Sequence, residues 1–188
     1  MTDVKTILVG TVGQGILRSG DGGETWGRIG IGAGLHSDAL VRTLLNTPTS
    51  PEIVFAGTDK GLYRSGNAGK TWQPVDSSLN SYNVWALAAD PGDPNLMFAG
   101  TGTPTPAALF RSSDAGKTWE KRPMEVAEEC PNVGVPRVTG IAVDPVTRRD
   151  IWVGLEVDGL RHSSDGGDTW ETVNHGAIPN LDVHNVAV

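Results

Sequence analysis

The chain writes nearly the same eight residues four times: SGDGGETW from Ser19, SGNAGKTW from Ser65, SSDAGKTW from Ser112 and SSDGGDTW from Ser163. No other feature restricts the possible folds as much, because a sequence that recurs at a fixed spacing builds one supersecondary unit several times over. The closing tryptophans, Trp26, Trp72, Trp119 and Trp170, stand 46, 47 and 51 residues apart, so the period runs through almost all of the 188 residues.

Aligning the chain on this period brings out three more blocks. TILVGT from Thr6, EIVFAGT from Glu52, NLMFAGT from Asn95 and DIWVGLE from Asp150 are β-branched and aromatic runs that pass through a glycine. They read as strands. GILRS, GLYRS, ALFRS and GLRHS lead into the boxes, and VRTLLNTP, VWALAADP and VTGIAVDP precede the second block. Each period therefore predicts four strands joined by tight turns, and no segment carries the 3.6-residue apolar spacing of a helix. The box falls where the third strand must turn into the fourth. Its Asp can accept backbone N–H bonds within the turn, its Gly can take a positive φ, and its Trp can cover the flank of a neighbouring sheet. Asn67 replaces the acid in the second copy, keeping the acceptor oxygen without the charge, which marks the carboxylates as structural.

These boxes at this period resemble the Asp-box, or BNR, repeats of sialidases, sortilin-type receptors, xyloglucan-cleaving glycosidases and photosystem II assembly factors. The resemblance implies an all-β fold, a β-propeller of four-stranded antiparallel blades with four blade equivalents in residues 1–188, as a single domain or part of one. The boxes then occupy 19–26, 65–72, 112–119 and 163–170. The C-terminal stretch LDVHNVAV, residues 181–188, matches the strand missing at the N-terminus, so it is expected to complete the first blade. A piece of a longer propeller, two copies joined as a homo-dimer, and a closed four-bladed ring all remain open.

Composition narrows the function. A net charge of −7 argues against a broad phosphate-binding surface, so neither nucleic acid nor an anionic membrane is an expected partner. Cys130 is the lone cysteine, which leaves no intrachain disulfide and no cysteine-rich metal site. The first residues show neither a signal-peptide run nor a membrane span, and the expected location is cytoplasmic. No cofactor is expected.

Superposing the first strands aligns Arg42, Trp85, Thr139 and His184. One residue earlier lie Val41, Val84, Val138 and Val183, and one before that Leu40, Asn83, Arg137 and Asp182. The constant valines suit a face packed between sheets, while the variable flanking positions suit a channel lining. Arg42, Asn83, Trp85, Arg137 and His184 are accordingly the expected ligand-binding residues, for a polar molecule of anionic or sugar-like character. Asp182, Glu156 and Glu128, the last on the long loop 122–136, are the carboxylates that could act as acid and base on a glycosidic bond. The histidines, His36, His162, His175 and His184, lack ligand spacing, so no metal site is expected. Arg18, Arg64, Arg111 and Arg161 recur once per period and are expected on sheet surfaces rather than converging on a ligand. Short loops favour a non-catalytic binding or assembly module for a glycan, peptide or protein. The alternative is a carbohydrate-active enzyme, a glycoside hydrolase or lyase.

Overall fold

The structure is a computed structural model and describes residues 5–47, 49–130, 134–173, 176 and 180–188. The strands fall where the four-block pattern puts them. β1 (Ile7–Gly10), β2 (Ile16–Ser19) and β3 (Gly27–Ile29) make a three-stranded antiparallel sheet. A four-stranded sheet follows with β4 (Val41–Thr47), β5 (Ser50–Thr58), β6 (Gly61–Ser65) and β7 (Gln73–Pro74). The remaining strands are β8 (Asn83–Ala89), β9 (Met97–Gly102), β10 (Leu109–Ser112), β11 (Glu120–Lys121), β12 (Arg137–Val143), β13 (Ile151–Glu156), β14 (Gly159–Ser163) and β15 (Glu171–Thr172). They belong to one eight-stranded sheet.

That architecture corrects the expected four-bladed β-propeller. The sheets hold three, four and eight strands, not four strands each, and they form an open half-barrel instead of a closed ring. Two causes are visible. β9 and β12 pair through Arg137 and Gly102, which fuses two meanders into one sheet. Gly102 has no side chain, and a Cβ there would stand 2.7 Å from that of Arg137, so only glycine allows the join. Secondly, residues 181–188 do not complete the first sheet. They run beside β12 and β13, where Gly159 N–H donates to Leu181 O (2.8 Å), Val183 N–H to Leu155 O (3.3 Å) and the Thr139 hydroxyl to Val183 O (2.5 Å). Among the described residues, no helix is long and apolar enough to cross a membrane.

The octapeptides form four corners with one hydrogen-bond pattern. In the first, the Ser19 hydroxyl accepts from Gly23 N–H (2.8 Å) and donates to Asp21 Oδ1 (2.7 Å). Asp21 in turn accepts from the Thr25 amide (3.0 Å) and hydroxyl (2.5 Å), and the Trp26 indole N–H donates to Gly23 O (3.0 Å). Gly23, Gly69, Gly116 and Gly167 all take positive φ, which the tight reversal requires. Asn67 keeps the pattern by reversing one bond: its Nδ2 donates to the Thr71 hydroxyl (2.8 Å) while Oδ1 still accepts the Thr71 amide (2.9 Å).

Packing follows from strands buried on both faces, which is why β5 and β9 read as unbroken apolar runs. Val54 and Ala56 of β5 face the first sheet with Ile16, Leu35 and Val41, while Phe55 faces the opposite way into a core with Val84, Met97 and Phe110. Phe98 of β9 joins Val138, Ile151, Val153 and Leu155 in a third core. Each buried side chain of this size contributes ~1.5–3 kcal/mol. The corner tryptophans close these layers: Trp72 is 2% exposed and Trp119 7%, Trp170 packs against the third core, and Trp26 on the outermost sheet is 45% exposed.

Two outcomes follow from this packing and corner chemistry. Trp72→Ala is expected to cost ~3–5 kcal/mol in chemical denaturation, whereas Trp26→Ala, at the same position of its corner, costs about 1 kcal/mol or less. The Thr118 hydroxyl and amide hold the Asp114 carboxyl down at about 2. The Ser19 hydroxyl with Thr25, and the Thr169 hydroxyl and amide with Ser163, hold Asp21 and Asp165 well below the usual carboxylate range. Carboxyls lowered on folding contribute stability that is complete above their unfolded value of about 3.9 and is lost as pH falls through the folded one. Melting temperature should therefore drop between about pH 4 and pH 2, with a shallower slope in Asp114→Asn/Asp165→Asn.

Candidate functional site

The inner strands β4, β8 and β12 each carry a β-bulge at the same place. Pairing skips from Val41 to Thr43, from Val84 to Ala86 and from Val138 to Gly140, which leaves Arg42, Trp85 and Thr139 as the extra residues. A bulge re-aims a side chain and adds local twist. Here it lets the preceding valine stay in the core, with Val41, Val84 and Val138 all buried, while the next residue turns away from it.

Two of the re-aimed residues, Arg42 and Trp85, meet, and Arg137 of β12 joins them. Arg42 stacks over the Trp85 ring at 4.2 Å and Arg137 at 4.9 Å, so guanidinium groups from β4 and β12 both engage the indole of β8. Thr103 O holds the assembly from the side, accepting from Trp85 Nε1 (3.2 Å) and Asn83 Nδ2 (2.8 Å). Arg42, Asn83, Trp85 and Arg137 line one cleft of about 640 Å³ with Leu40, Asp59, Lys60, Thr103 and Pro104. Four of the five expected ligand-binding residues thus share a wall. Arg42 Nε, Arg137 Nε and Asn83 Oδ1 are buried without a hydrogen-bond partner. An unpaired buried polar atom costs ~1–3 kcal/mol, a cost that folds retain mainly at sites with a use for it.

The fifth residue sits one step further along. Arg137 Nη1 donates to Glu156 Oε2 (2.6 Å), and Glu156, Asp182 and His184 offer ligand atoms all within 4.8 Å of one another. His184 Nε2 lies 3.4 Å from Asp182 Oδ1. Two carboxylates and an imidazole can exchange a proton with a bound molecule, and the same donor set suits a divalent cation, a possibility that residue spacing alone does not reveal. Arg137 connects this cluster to the Trp85 stack.

Other candidates lie elsewhere. Glu128 is exposed, with no hydrogen bond or ion pair tying it to the cluster. Arg18 donates to Ala68 O (2.9 Å), Arg111 to Gly166 O (2.9 Å) and Arg161 to Asp158 (2.7 Å), so these repeated arginines brace corners and loops separately. His36 pairs with Asp38 (2.9 Å), and His175 lies outside the described residues. His162 stacks on Trp152 at 4.1 Å between Asp150 and Glu171. Its burial works against charging, but the hydrogen bonds to Glu171 and Asp150 prevail and raise its pKa. Sequence reasoning missed Thr103 and the bulges; the repeated Val-x step at 41, 84 and 138 was their one available sign.

No family model matches the chain, and no curated protein does. Solved structures do match. An ancestral GH74 enzyme superposes with a TM-score of 0.75 at 19% identity, over 91% of this chain and 23% of its own. The GH74 xyloglucanase from Xanthomonas campestris gives 0.69 at 20% identity, over 93% and 30%. The extracellular domain of a one component system from B. thetaiotaomicron gives 0.70 at 15% identity, over 98% and 23%. The chain spans between 23% and 30% of the length of these proteins. At such identities the likeness concerns the fold. It corrects the Asp-box (BNR) repeat assignment drawn from the octapeptides, and with it the reading as a BNR-repeat binding or assembly module: the shared fold is that of GH74 enzymes.

Proposed function

We propose that the protein is carbohydrate-active, of the glycoside hydrolase kind, and that it acts on a glycan lying along the cleft beside Trp85. The observation that carries this reading is the pair of carboxylates, Glu156 and Asp182, within 4.8 Å of each other beside that cleft. Glycoside cleavage uses one carboxyl to protonate the leaving oxygen and a second to meet the charge that develops at the anomeric carbon. Separations of ~6.5–9.5 Å leave room for a water and invert the centre, whereas about 5 Å suits direct attack and retention. The spacing here belongs to the shorter class. Glu156, clamped by Arg137 at 2.6 Å, suits the anionic role, and Asp182, which meets His184 and no arginine among the described residues, suits proton delivery. The GH74 fold supports the same choice over a peptide or protein ligand.

The test is release of reducing ends from a panel of neutral and acidic polysaccharides, xyloglucan and polygalacturonan included. Glu156→Gln and Asp182→Asn should each lower the rate by about 10²-fold or more, and Glu128→Gln should leave it within about twofold. A parent protein that cleaves nothing in the panel, or variants as fast as the parent, would overturn the reading.

A further inference from the structure

The cleft carries a net positive charge on an acidic chain. In a chain of net charge −7, its lining contains three cations, Arg42, Lys60 and Arg137, and one carboxylate, Asp59. Two of the cations are matched: Lys60 lies 3.4 Å from Asp59 and Arg137 2.6 Å from Glu156. Arg42 is not. Its side chain makes no ion pair and no hydrogen bond with any described residue, its Nε is buried and unpartnered, and the guanidinium is engaged by the stack on Trp85 at 4.2 Å. Beside it Asn83, 3% exposed, lines the same cleft with an amide oxygen that accepts nothing.

A guanidinium held flat by an aromatic ring, with no counter-charge, is organised in advance for a planar anion, since its fork of donors matches a carboxylate in two parallel bonds. The Asn83 oxygen asks for a donor, which a sugar hydroxyl supplies. Trp85 already carries guanidinium groups, so a sugar ring meets the arginines instead of stacking on the indole. Building on the carbohydrate reading above, we infer that the cleft selects an acidic saccharide, a uronate whose carboxylate pairs with Arg42 and whose neighbouring hydroxyl reaches Asn83. Lys60 adds attraction at the rim, and the Arg137–Glu156 pair sets the uronate next to the two carboxylates.

The experiment is calorimetric titration of the full chain with trigalacturonate and with its methyl ester, which keeps every linkage and hydroxyl but removes the charge. The acid should bind about tenfold or more tightly than the ester, with affinity falling as salt rises. Arg42→Gln should bring the ratio of the two affinities to about one, and Arg42→Lys, which retains charge without the planar fork, should restore part of it. A melting temperature near that of the parent shows that each variant is folded. Equal binding of acid and ester by the parent would overturn acid selectivity and leave the carbohydrate reading standing. Displacement of trigalacturonate by millimolar acetate would also overturn it, by showing a general anion site. Binding of neither the acid, the ester nor a xyloglucan oligosaccharide would remove both readings together.

Discussion

Four valines, each set into the space left by a glycine, carry the chain from one layer to the next. A Cβ built on Gly10 would stand 2.7 Å from Val41 Cγ1, one on Gly57 2.8 Å from Val84 Cγ1, and one on Gly154 2.7 Å from Val183 Cγ1. On Gly100 it would press still closer to Val138. Real side chains do not tolerate such distances, so the second strand of each unit must be bare where the first strand of the next arrives. The contact repeats at every junction and places β4, β8, β12 and residues 181–188 in one file. Everything at the candidate site depends on that file, because Arg42, Trp85, Thr139 and His184 each follow one of these valines.

The corners and the file divide the labour. At the corners, a short side-chain network is complete within each octapeptide, and its aspartates are fully engaged with Ser and Thr partners. Such a group has nothing left for a ligand. Along the file the reverse holds: in β4, β8 and β12 the valine is constant and buried, and the residue beyond it is pushed out by a bulge, free to be cation, aromatic or hydroxyl. Polar atoms without partners collect there and not at the corners. A functional surface thus arises where the packing rule binds one position and releases the next.

Local pattern made much of this legible. Strand positions, the corner turns and the buried valines all follow from interactions within a few residues, and the alignment of Arg42, Trp85, Arg137, Asp182 and His184 follows from the period. Closure was not legible, because LDVHNVAV fits the edge of any sheet that offers a glycine. Gly154 takes Val183, so the segment sits beside β12 and β13 and the half-barrel stays open. The octapeptide misled on family for a related reason: a turn stabilised by its own hydrogen bonds says little about the protein around it. Glu128 was named from loop composition, and Glu156 earned its place through the Arg137 ion pair, a contact across 19 residues that no local pattern encodes.

The glycine and valine junction is tested most directly by a double-mutant cycle at Gly10 and Val41, where the Cγ1 of Val41 makes the 2.7 Å clash and its Cβ stands back at 3.2 Å, read by chemical denaturation. Alone, Gly10→Ala should cost ~1–3 kcal/mol through overpacking and Val41→Ala a similar amount through the cavity it leaves. In the combined variant the new methyl occupies the vacated space, and the loss should fall short of the sum by about 1 kcal/mol or more. Strict additivity would show that the two residues do not share a space, and the account of how the layers and the site are held in line would be wrong.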